Sequence, residues 1–451
     1  MTVQQVFEKQ RAFFNSNATL DVDFRLRALT KLKQSIESNL DDLVKAFAKD
    51  YNKCPFDVYS TEVALVVKEL DYFIRNLKRL ARPKRVATSL VNYSSHGKII
   101  PMPLGVVLVV SPWNYPFQLT MMPAIGAIAG GNTVVIKPSS KTAEVSRVIA
   151  KIFSVFEEDY VYVNCTRDDG LFDLPFDFMF YTGGADFAKK IRAKQAKHLI
   201  PCVLELGGKS PCIVDADADV DLSAKRIAWG KFLNAGQTCV APDYCVVHES
   251  IKQEFVERLL FYIKKFYYTG DALNDDYPYV ITQSKAEEVL QLIKGEKILC
   301  GGVAEGRKMP PTVVDNIDFD SPIMQSEIFA PVLPILTFDT LSQLLAKING
   351  MDRPLAFYFF STSETACDYV ANHTFSGGAG FNETVMHLTE EKLPFGGVGA
   401  SGYGSYHGKK SFDTFVHYKS ALFKGKAEMD LKYPPYNDKK LAFVKSWFKI
   451  K

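Results

Sequence analysis

The sequence predicts an α/β protein with two parallel-sheet domains and a smaller arm. Its 451 residues, 47% of them hydrophobic, exceed one ordinary domain and are enough for large buried cores. Short runs rich in Val and Ile alternate with segments of helical periodicity, and this order is typical of parallel sheets. The paired glycines Gly207 and Gly208 interrupt the alternation, and we place the boundary between the two sheets there.

The N-terminal segment is predicted to be helical. Apolar residues recur at steps of three or four from Val22 to Phe47, and the pattern returns from Thr61 to Leu80. This is the stripe of an amphipathic helix that faces a core. The sequence Ala81-Arg-Pro and the polar stretch 92–97 then interrupt the pattern, and they predict an excursion between domains.

Strands and helices then alternate in two series. The first series has strands at 105–110, 132–137, 178–181 and 202–206, with helices at 118–129 and 185–197. The second series has strands at 211–215 and 244–248, with helices at 222–233 and 251–266. We therefore predict one domain from 1–80 and 99–207, a second from 208–414, and an arm from 81–98 and 415–451.

Composition and charge argue against several classes of protein. The 54 basic and 51 acidic residues give a net charge of +3 without long basic blocks, so we expect no nucleic-acid partner. Eight cysteines without C-x-x-C spacing and seven histidines without metal-binding spacing predict no disulfide framework and no metal site. The N-terminus lacks a signal-peptide pattern, and no apolar stretch is long enough for a membrane span. We expect a cytoplasmic protein without integral membrane association.

A thiol and a carboxylate are the strongest candidates for chemistry. Cys239 lies in Gly236-Gln-Thr-Cys, and Glu205 lies 34 residues upstream (239 − 205) at the end of an apolar run. A thiolate attacks a carbonyl carbon well, and a carboxylate that activates water can open the resulting thioester. An inert buried thiol is the alternative, because free cysteine is often a small core residue.

Polar residues follow two predicted strands of the first series. Asn114, in Ser111-Pro-Trp-Asn, follows the strand at 105–110, at the carboxyl edge where open α/β sheets bind ligands. Its amide can donate to an oxyanion, and a turn asparagine bonded to its own backbone is an equally good interpretation. Lys137 ends the next strand, where it can meet the hydroxyls or phosphate of a nucleotide or remain solvated.

Three further patterns involve glycine or proline. The glycines of Tyr181-Thr-Gly-Gly-Ala open a helix whose backbone N–H groups suit a pyrophosphate, with plain turn glycines as the alternative. Glu327 and Phe329 precede a Pro-restricted segment, where Glu327 is otherwise a helix cap or a surface acid. Gly397-Val-Gly-Ala-Ser-Gly fits the dinucleotide fingerprint but does not follow a strand, so we interpret it as a loop.

In combination, these motifs resemble the aldehyde dehydrogenase superfamily over essentially the whole chain. The matching sequences are Pro112-Trp-Asn, Ile136-Lys-Pro-Ser, Leu204-Glu-Leu-Gly-Gly-Lys-Ser-Pro, Gly236-Gln-Thr-Cys, Glu327-Ile-Phe-Ala-Pro and Leu393-Pro-Phe-Gly-Gly-Val-Gly. Ala228-Trp-Gly-Lys-Phe and Val240-Ala-Pro-Asp-Tyr resemble the class 3 branch. The resemblance implies a Rossmann-like coenzyme-binding domain, a catalytic domain and an oligomerisation arm. It also implies NAD(P)-dependent oxidation of aromatic or medium- to long-chain aliphatic aldehydes to carboxylic acids.

The resemblance also implies a role for each candidate residue. Cys239 is the nucleophile, Asn114 and the Cys239 backbone N–H hold the oxyanion, and Glu205 activates the water that opens the thioester. The implied cofactor-binding residues are Trp113, Lys137, Ser139, Ser140, Gly183, Gly184, Ala188, Leu206, Glu327 and Phe329. The residues expected to line the substrate pocket are Tyr115, Gln118, Thr238 and Phe395.

Two departures from the family pattern concern the cofactor, which is NAD or NADP. Ser140 stands where NAD-preferring members commonly carry Glu, and Lys141 follows it. The change removes a negative charge that would repel a 2′-phosphate and adds a positive one, so we predict that NADP is accepted. Ala188 replaces a glycine that is common in relatives, and its methyl group can shift the helix away from the pyrophosphate.

Other functions compete with this prediction. A coenzyme A-acylating semialdehyde dehydrogenase is disfavoured by Glu205. A cysteine acyltransferase or hydrolase without a redox step needs a histidine partner for Cys239, for which His198 and His248 are the candidates. A catalytically silent scaffold is the third alternative. The class 3 resemblance favours a homodimer, with the basic-aromatic tail at 443–451 packed on the partner subunit or touching a lipid surface.

Overall fold

The computed structural model describes residues 2–166 and 169–451. The helices of the described residues are α1 (Val3–Asn15), α2 (Val22–Ser38), α3 (Leu40–Tyr51), α4 (Pro55–Val58), α5 (Ala64–Leu80), α6 (Gln118–Gly130), α7 (Ala143–Phe153), α8 (Ala185–Gln195), α9 (Val220–Phe232), α10 (Lys252–Tyr267), α11 (Gln283–Leu292), α12 (Leu341–Asn349), α13 (Glu364–His373), α14 (Lys409–Thr414) and α15 (Asp438–Trp447).

The strands of the same residues are β1 (Lys84–Val86), β2 (Ser95–Pro103), β3 (Val106–Val110), β4 (Thr133–Lys137), β5 (Val161–Val163), β6 (Phe178–Thr182), β7 (Cys202–Glu205), β8 (Pro211–Val214), β9 (Tyr244–His248), β10 (Tyr268–Thr269), β11 (Ala272–Leu273), β12 (Lys297–Cys300), β13 (Thr312–Asp315), β14 (Val332–Phe338), β15 (Ala356–Phe360), β16 (Gly378–Phe381), β17 (Gly402–Tyr403) and β18 (Val416–Lys424).

The first large sheet has the strand order β17-β7-β6-β3-β4-β5. Its strands run parallel except for β17, which pairs antiparallel with β7. All five residues of β3 are buried, as expected for a central parallel strand. The helix α6 that follows β3 is buried along its whole length, because it is apolar on every face.

The second large sheet has the order β12-β13-β14-β9-β8-β15-β16. Its edge strand β12 pairs antiparallel with β13, and the other neighbouring strands pair parallel. Its core is one apolar cluster to which β8, β9 and β14 contribute Ile213, Val246 and Val332. These two sheets confirm the predicted α/β fold with parallel sheets.

Two details differ from the sequence pattern. The helical stripe from Val22 to Phe47 belongs to two helices, α2 and α3, which meet at Asn39. The Asn39 side chain donates to the Ser35 carbonyl at 2.7 Å, which stabilises the end of α2. In addition, β17 comes from the predicted second domain and yet joins the first sheet. The domain limits otherwise remain a prediction.

The chain forms two compact units. The larger unit comprises the chain up to Leu80 together with Pro103–Val416, and the smaller unit comprises Ala81–Met102 with His417–Lys451. The smaller unit contains most of the sheet β1-β2-β18 and the helix α15. No helix in the described part of the chain combines the length and the apolar composition that a membrane span requires.

Candidate active site

Cys239 is presented by an unusual turn after α9. Asn234, Ala235 and Gly236 all have left-handed backbone conformations, with φ of 52°, 53° and 69°. Such a conformation costs a non-glycine residue about 1–2 kcal/mol. A Cβ atom at Gly236 would lie 2.4 Å from the Ala330 carbonyl oxygen, so only glycine fits there. The surrounding structure must hold this turn in place.

Hydrogen bonds of Gln237 supply that support. Its side-chain amide donates to the carbonyl oxygens of Asn234 and Tyr279, each at 3.0 Å. Its side-chain oxygen accepts the backbone N–H of Ile281 at 2.7 Å. Gln237 is completely buried, so these bonds are protected from water. They position the thiol two residues further along the chain.

Asn114 joins the first sheet to this turn. Its side-chain amide donates to the Gln237 carbonyl at 3.0 Å, and Asn234 donates to the Asn114 carbonyl at 2.9 Å. The side chain is therefore bonded to the thiol loop instead of to its own backbone. An amide carries two N–H donors, so the second donor of Asn114 is available for an oxyanion.

Glu205 is an unpaired carboxylate at the end of β7. Its side chain is 2% exposed, and neither oxygen has a hydrogen-bond partner among the described residues. Burial therefore raises its pKa well above the ordinary value for glutamate. The Glu205 charge acts on the Cys239 thiol, so the two groups are within electrostatic reach of each other. A carboxylate with a raised pKa is suited to accept a proton from water.

The acidity of the Cys239 thiol reflects its surroundings. Burial raises its pKa to about 12, with further contributions from the Glu327 and Glu205 carboxylates. The backbone N–H groups of Cys239 and Val240 act in the opposite direction. The thiol consequently carries a proton near neutral pH, and neutralisation of either carboxylate would make it more acidic.

The thiol opens into a mainly apolar cavity of about 360 Å³. The four predicted pocket residues, Tyr115, Gln118, Thr238 and Phe395, all line it. The Tyr115 hydroxyl and the Thr238 hydroxyl are hydrogen-bonded at 2.7 Å. A cavity of this size and polarity is suited to a small or medium-sized apolar molecule.

Most of the cavity wall was missed by sequence reasoning. The additional lining residues come from segments that are distant from one another in the chain: Phe56, Asp57, Ser60, Thr61, Leu65, Leu119, Trp229, Leu233, Val240, Val385, Met386, Leu388, Thr389, Tyr406 and His407. Trp229 has a local signal, since it lies on α9 ten residues before the thiol (239 − 229). Most of the others depend on packing between segments that are remote in sequence.

A second cavity, of about 790 Å³, is lined by four of the predicted cofactor residues: Gly184, Ala188, Leu206 and Glu327. Charged side chains also line it: the cations Lys189, Arg192, Lys209, Lys347 and Arg353, and the carboxylates Asp320 and Asp352. The N-terminus of α8 has no side-chain cap, and a Cβ atom at Gly184 would meet nothing within 4 Å. Free backbone N–H groups and nearby cations bind phosphates, so these residues fit NAD(P).

The other six predicted cofactor residues lie outside the lining of this cavity. The Trp113 and Phe329 rings are in edge contact with centroids 5.3 Å apart, and the Lys141 ammonium lies 5.5 Å from the Trp113 ring. Phe329 has a φ of 51°, an uncommon conformation that the surrounding structure must enforce. Gly183 donates its N–H to the Glu205 carbonyl at 3.0 Å.

Lys137, Ser139 and Ser140 continue from the carboxyl end of β4. The Lys137 ammonium donates to the Pro138 carbonyl at 2.9 Å. The Ser139 hydroxyl accepts the Lys141 N–H at 3.2 Å, and Ser140 is exposed. This edge of the sheet is therefore accessible to a ligand and carries no carboxylate at position 140.

The histidines that a hydrolase would need are engaged elsewhere. His198 is hydrogen-bonded to the Asp173 carbonyl at 3.1 Å, and His248 to the Ser250 hydroxyl at 2.8 Å. The described residues also contain no group of three His, Cys, Asp or Glu side chains arranged to hold a metal ion. The candidate groups for chemistry at this site are therefore Cys239, Asn114 and Glu205.

The fold and the site together define an enzyme of the dehydrogenase class. The fold has two parallel sheets. The site combines a thiol, an amide and an unpaired carboxylate, and a neighbouring cavity is suited to a dinucleotide. The sequence matches the model of the aldehyde dehydrogenase family over residues 1–421. The chain belongs to this family, and it is an NAD(P)-dependent oxidoreductase that oxidises aldehydes. The resemblance to this family is thus confirmed, and the alternative activities are not favoured.

Similar proteins refine this assignment. The chain is 41% identical to the 4,4′-diaponeurosporen-aldehyde dehydrogenase of Staphylococcus aureus, with 99% of each chain covered. It is 40% identical to the dimeric NADP-preferring aldehyde dehydrogenase of Rattus norvegicus, with 96% of this chain and 98% of the relative covered. A solved structure, the substrate-bound state of Staphylococcus aureus AldH, superimposes with a TM-score of 0.96 at 40% identity and covers 99% of this chain and all of its own. The chain is also 38% identical to aldehyde dehydrogenase family 3 member A2 of Mus musculus, with 98% of this chain and 93% of the relative covered, which confirms the class 3 resemblance.

Proposed function

We propose that this enzyme oxidises aromatic or medium- to long-chain aliphatic aldehydes, with Cys239 as nucleophile, Asn114 as oxyanion donor and Glu205 as base. The arrangement of groups around the thiol carries the proposal. The Cys239 thiol lines an apolar cavity, its loop is bonded to Asn114 at 3.0 Å, and the unpaired Glu205 carboxylate acts on it. Each group is thereby available for one step of the reaction.

In the first step, the Cys239 thiol releases its proton to solvent, and the small thiolate fraction adds to the aldehyde. A C–S bond forms, and the carbonyl π electrons move to oxygen. The second Asn114 N–H and the Cys239 backbone N–H stabilise the resulting oxyanion, because preorganised donors are most effective where charge develops. NAD(P), when bound, accepts the hydride that leaves the adduct, and a thioester remains on Cys239.

In the second step, the thioester is hydrolysed. Glu205 removes a proton from water, the hydroxide adds to the thioester carbon, and the C–S bond breaks to release the carboxylic acid and the thiolate. The buried position of Glu205 supports this role, because a raised pKa makes the carboxylate a stronger base. Glu205 also makes transfer of the acyl group to coenzyme A unnecessary.

The substrate class is supported by the cavity wall. Phe56, Leu119, Trp229, Leu233 and Phe395 surround the approach to the thiol, and they offer little hydrogen bonding to a polar aldehyde. The relative from Staphylococcus aureus is named as a 4,4′-diaponeurosporen-aldehyde dehydrogenase. Burial of apolar substrate surface in such a wall favours binding by roughly 25 cal/mol per Å².

We further infer that NADP is accepted together with NAD. Position 140 is an exposed serine, and Lys141 follows it, so a 2′-phosphate meets a cation and no carboxylate there. The rat relative is named NADP-preferring. If NAD is favoured more than tenfold under matched conditions, this part of the proposal is wrong.

A cytoplasmic homodimer is the proposed assembly. The rat relative is named dimeric, and the smaller unit exposes large apolar residues on β18 and α15, among them Leu422, Phe423, Phe443 and Trp447. Burial of these residues against a second copy would remove them from water. Light scattering of the purified protein is expected to give about 101 kDa, twice the 50.5 kDa of the chain. A mass of one chain at micromolar concentration would contradict the dimer.

A single assay tests the proposed function. Purified protein is mixed with benzaldehyde or hexanal and with NAD or NADP, and the absorbance of the reduced nicotinamide is followed with and without coenzyme A. We expect turnover that does not depend on coenzyme A. Dependence on coenzyme A would replace hydrolysis by acyl transfer, and activity with short aldehydes alone would refute the proposed substrate class.

A further inference from the structure

Lys53 and Glu62 form a buried ion pair that the proposed mechanism does not use. The Lys53 ammonium lies 3.2 Å from Glu62 Oε1, and the two side chains are 1% and 0% exposed. Removal of two charges from water costs free energy that their mutual attraction often only balances. Stability alone is therefore a weak explanation for the pair, and the neighbours of each group indicate a second role.

Glu62 caps the N-terminus of α6, the helix that begins four residues after Asn114 (118 − 114). Glu62 Oε2 accepts the backbone N–H of Gln118, the first residue of α6, at 2.8 Å. Phe117, which precedes the helix, supplies no side-chain cap of its own. A carboxylate here satisfies a helix N–H and interacts favourably with the helix dipole. Glu62 lies in a single π-helical turn, Tyr59–Val63, and such turns frequently occur at functional sites. Glu62 therefore fixes where α6 begins.

Lys53 contacts the residue that follows Asn114. The Lys53 ammonium lies 4.5 Å from the centroid of the Tyr115 ring, and a desolvated cation over an aromatic face is attracted by the ring. The Tyr115 hydroxyl is in turn hydrogen-bonded to the Thr238 hydroxyl at 2.7 Å, and Thr238 directly precedes Cys239. Lys53 therefore holds Tyr115 against the loop that carries the thiol.

We propose that Lys53 and Glu62 are positioning residues that hold the Asn114 amide in the orientation an oxyanion donor requires. Asn114 is followed directly by Tyr115, which contacts Lys53, and then by the helix end that Glu62 caps. A preorganised donor is effective only at the position where charge develops. A displacement of about 1 Å can slow a reaction by roughly 10²-fold. The inference rests on the proposed role of Asn114.

The test compares two neutral replacements of the pair. Lys53→Met/Glu62→Gln removes both charges and keeps an oxygen that can accept the Gln118 N–H. Lys53→Met/Glu62→Met has nearly the same shape and lacks that oxygen. Neither double variant leaves a buried charge unpaired, so both are expected to fold. Lys33→Met/Asp71→Asn, which neutralises a partly exposed pair between α2 and α5, is the control and keeps the wild-type rates.

The rate to be measured is the single-turnover reduction of NADP with benzaldehyde, extrapolated to saturating enzyme. The Glu62→Met form of the double variant is expected to be about tenfold or more slower than the Glu62→Gln form, because its Asn114 donor is displaced. Alkylation of Cys239 by iodoacetamide forms no oxyanion, so its rate at pH 8 is expected to agree within about twofold between the two forms. With Asn114→Ala added to each form, the single-turnover rates are also expected to agree within about twofold.

Several results overturn the proposal. They are equal single-turnover rates in the two double variants, a matching loss of the alkylation rate, and a tenfold difference that persists when Asn114→Ala is added. Failure of either double variant to fold also overturns it, because the pair then serves folding alone.

These results are distinct from a failure of the proposed function. Absence of nicotinamide reduction in the wild-type enzyme would refute that function. An unchanged rate in Asn114→Ala alone would refute the role of Asn114, and this inference with it. Neither result involves a change at Lys53 or Glu62.

Discussion

The cavity at the thiol and the cavity lined by the candidate cofactor residues are built on different principles. The cavity at the thiol is about 360 Å³ and has a wall of mainly aromatic and aliphatic side chains. The other is about 790 Å³, and glycines and charged side chains line it, with more cations than carboxylates. The first cavity is suited to an aldehyde with an apolar stem, which is bound by burial of its surface. The second is suited to a phosphate-bearing ligand, which is bound by backbone N–H donors and positive charge. Glu327 lines the larger cavity and also acts on the thiol, so it links the two.

The strongest test of this separation is Cys239→Ser. We expect a loss of at least about 10⁴-fold in kcat, because removal of a nucleophile abolishes the steps that depend on it. Cofactor affinity, measured by fluorescence titration with NADPH, is expected to stay within twofold of wild type. A large loss of cofactor affinity would show that the two cavities are not functionally separate.

Glu205→Gln is expected to leave the formation of the thioester intact and to slow its hydrolysis. Steady-state turnover falls by about 10²–10⁴-fold, the range typical of a lost general base. A burst of one reduced nicotinamide per active site remains, because the first step does not need the carboxylate. Stopped-flow absorbance measures both phases. Full steady-state activity would mean that another group activates the water.

The pH dependence of thiol reactivity tests the surroundings of Cys239. Because its pKa is raised to about 12, the thiolate fraction in the cofactor-free enzyme increases about tenfold for each pH unit between 7 and 9. The rate of alkylation of the Cys239 peptide should follow the same slope. A plateau below pH 9 would show that a nearby group stabilises the thiolate more than burial opposes it.

Ser140→Glu acts on the cofactor alone. If Ser140 lies at the 2′-phosphate of NADP, as we propose, repulsion between like charges is expected to lower kcat/KM for NADP relative to NAD by roughly tenfold. Ser140→Gln is the uncharged control of similar size. Comparable ratios in both variants would show that size, and not charge, determines the effect.

The smallest expected effect concerns the stability contributed by His387, which lies between two residues of the cavity wall, Met386 and Leu388. His387 lies against Tyr358, and burial lowers its pKa to about 4 from 6.5. Between these values the unfolded chain binds a proton that the folded chain does not, so stability falls by about 1–2 kcal/mol as the pH drops from 6.5 to 5. His387→Phe should reduce this loss in urea titrations, whereas His373→Phe at an exposed helix end should not. Equal losses in both variants would contradict the assignment to His387.

Local patterns predicted much of the fold. The Val-rich runs that became β3 and β4 and the helical stripe of α5 depend on periodic burial and on backbone hydrogen bonds between near neighbours, which a sequence displays directly. The division of the N-terminal stripe into α2 and α3 was missed, because Asn39 interrupts the backbone without interrupting the apolar period.

The sequence by itself determined which groups are available for chemistry. Cys239, Glu205 and Asn114 each follow a recognisable element, and their motifs match the family. The tertiary structure decided what those groups experience: the donor that Asn114 leaves free, the unpaired state of Glu205, the wall around the thiol and the buried pair of Lys53 and Glu62. These properties depend on contacts between segments up to hundreds of residues apart, and such contacts leave no periodic signal in the chain.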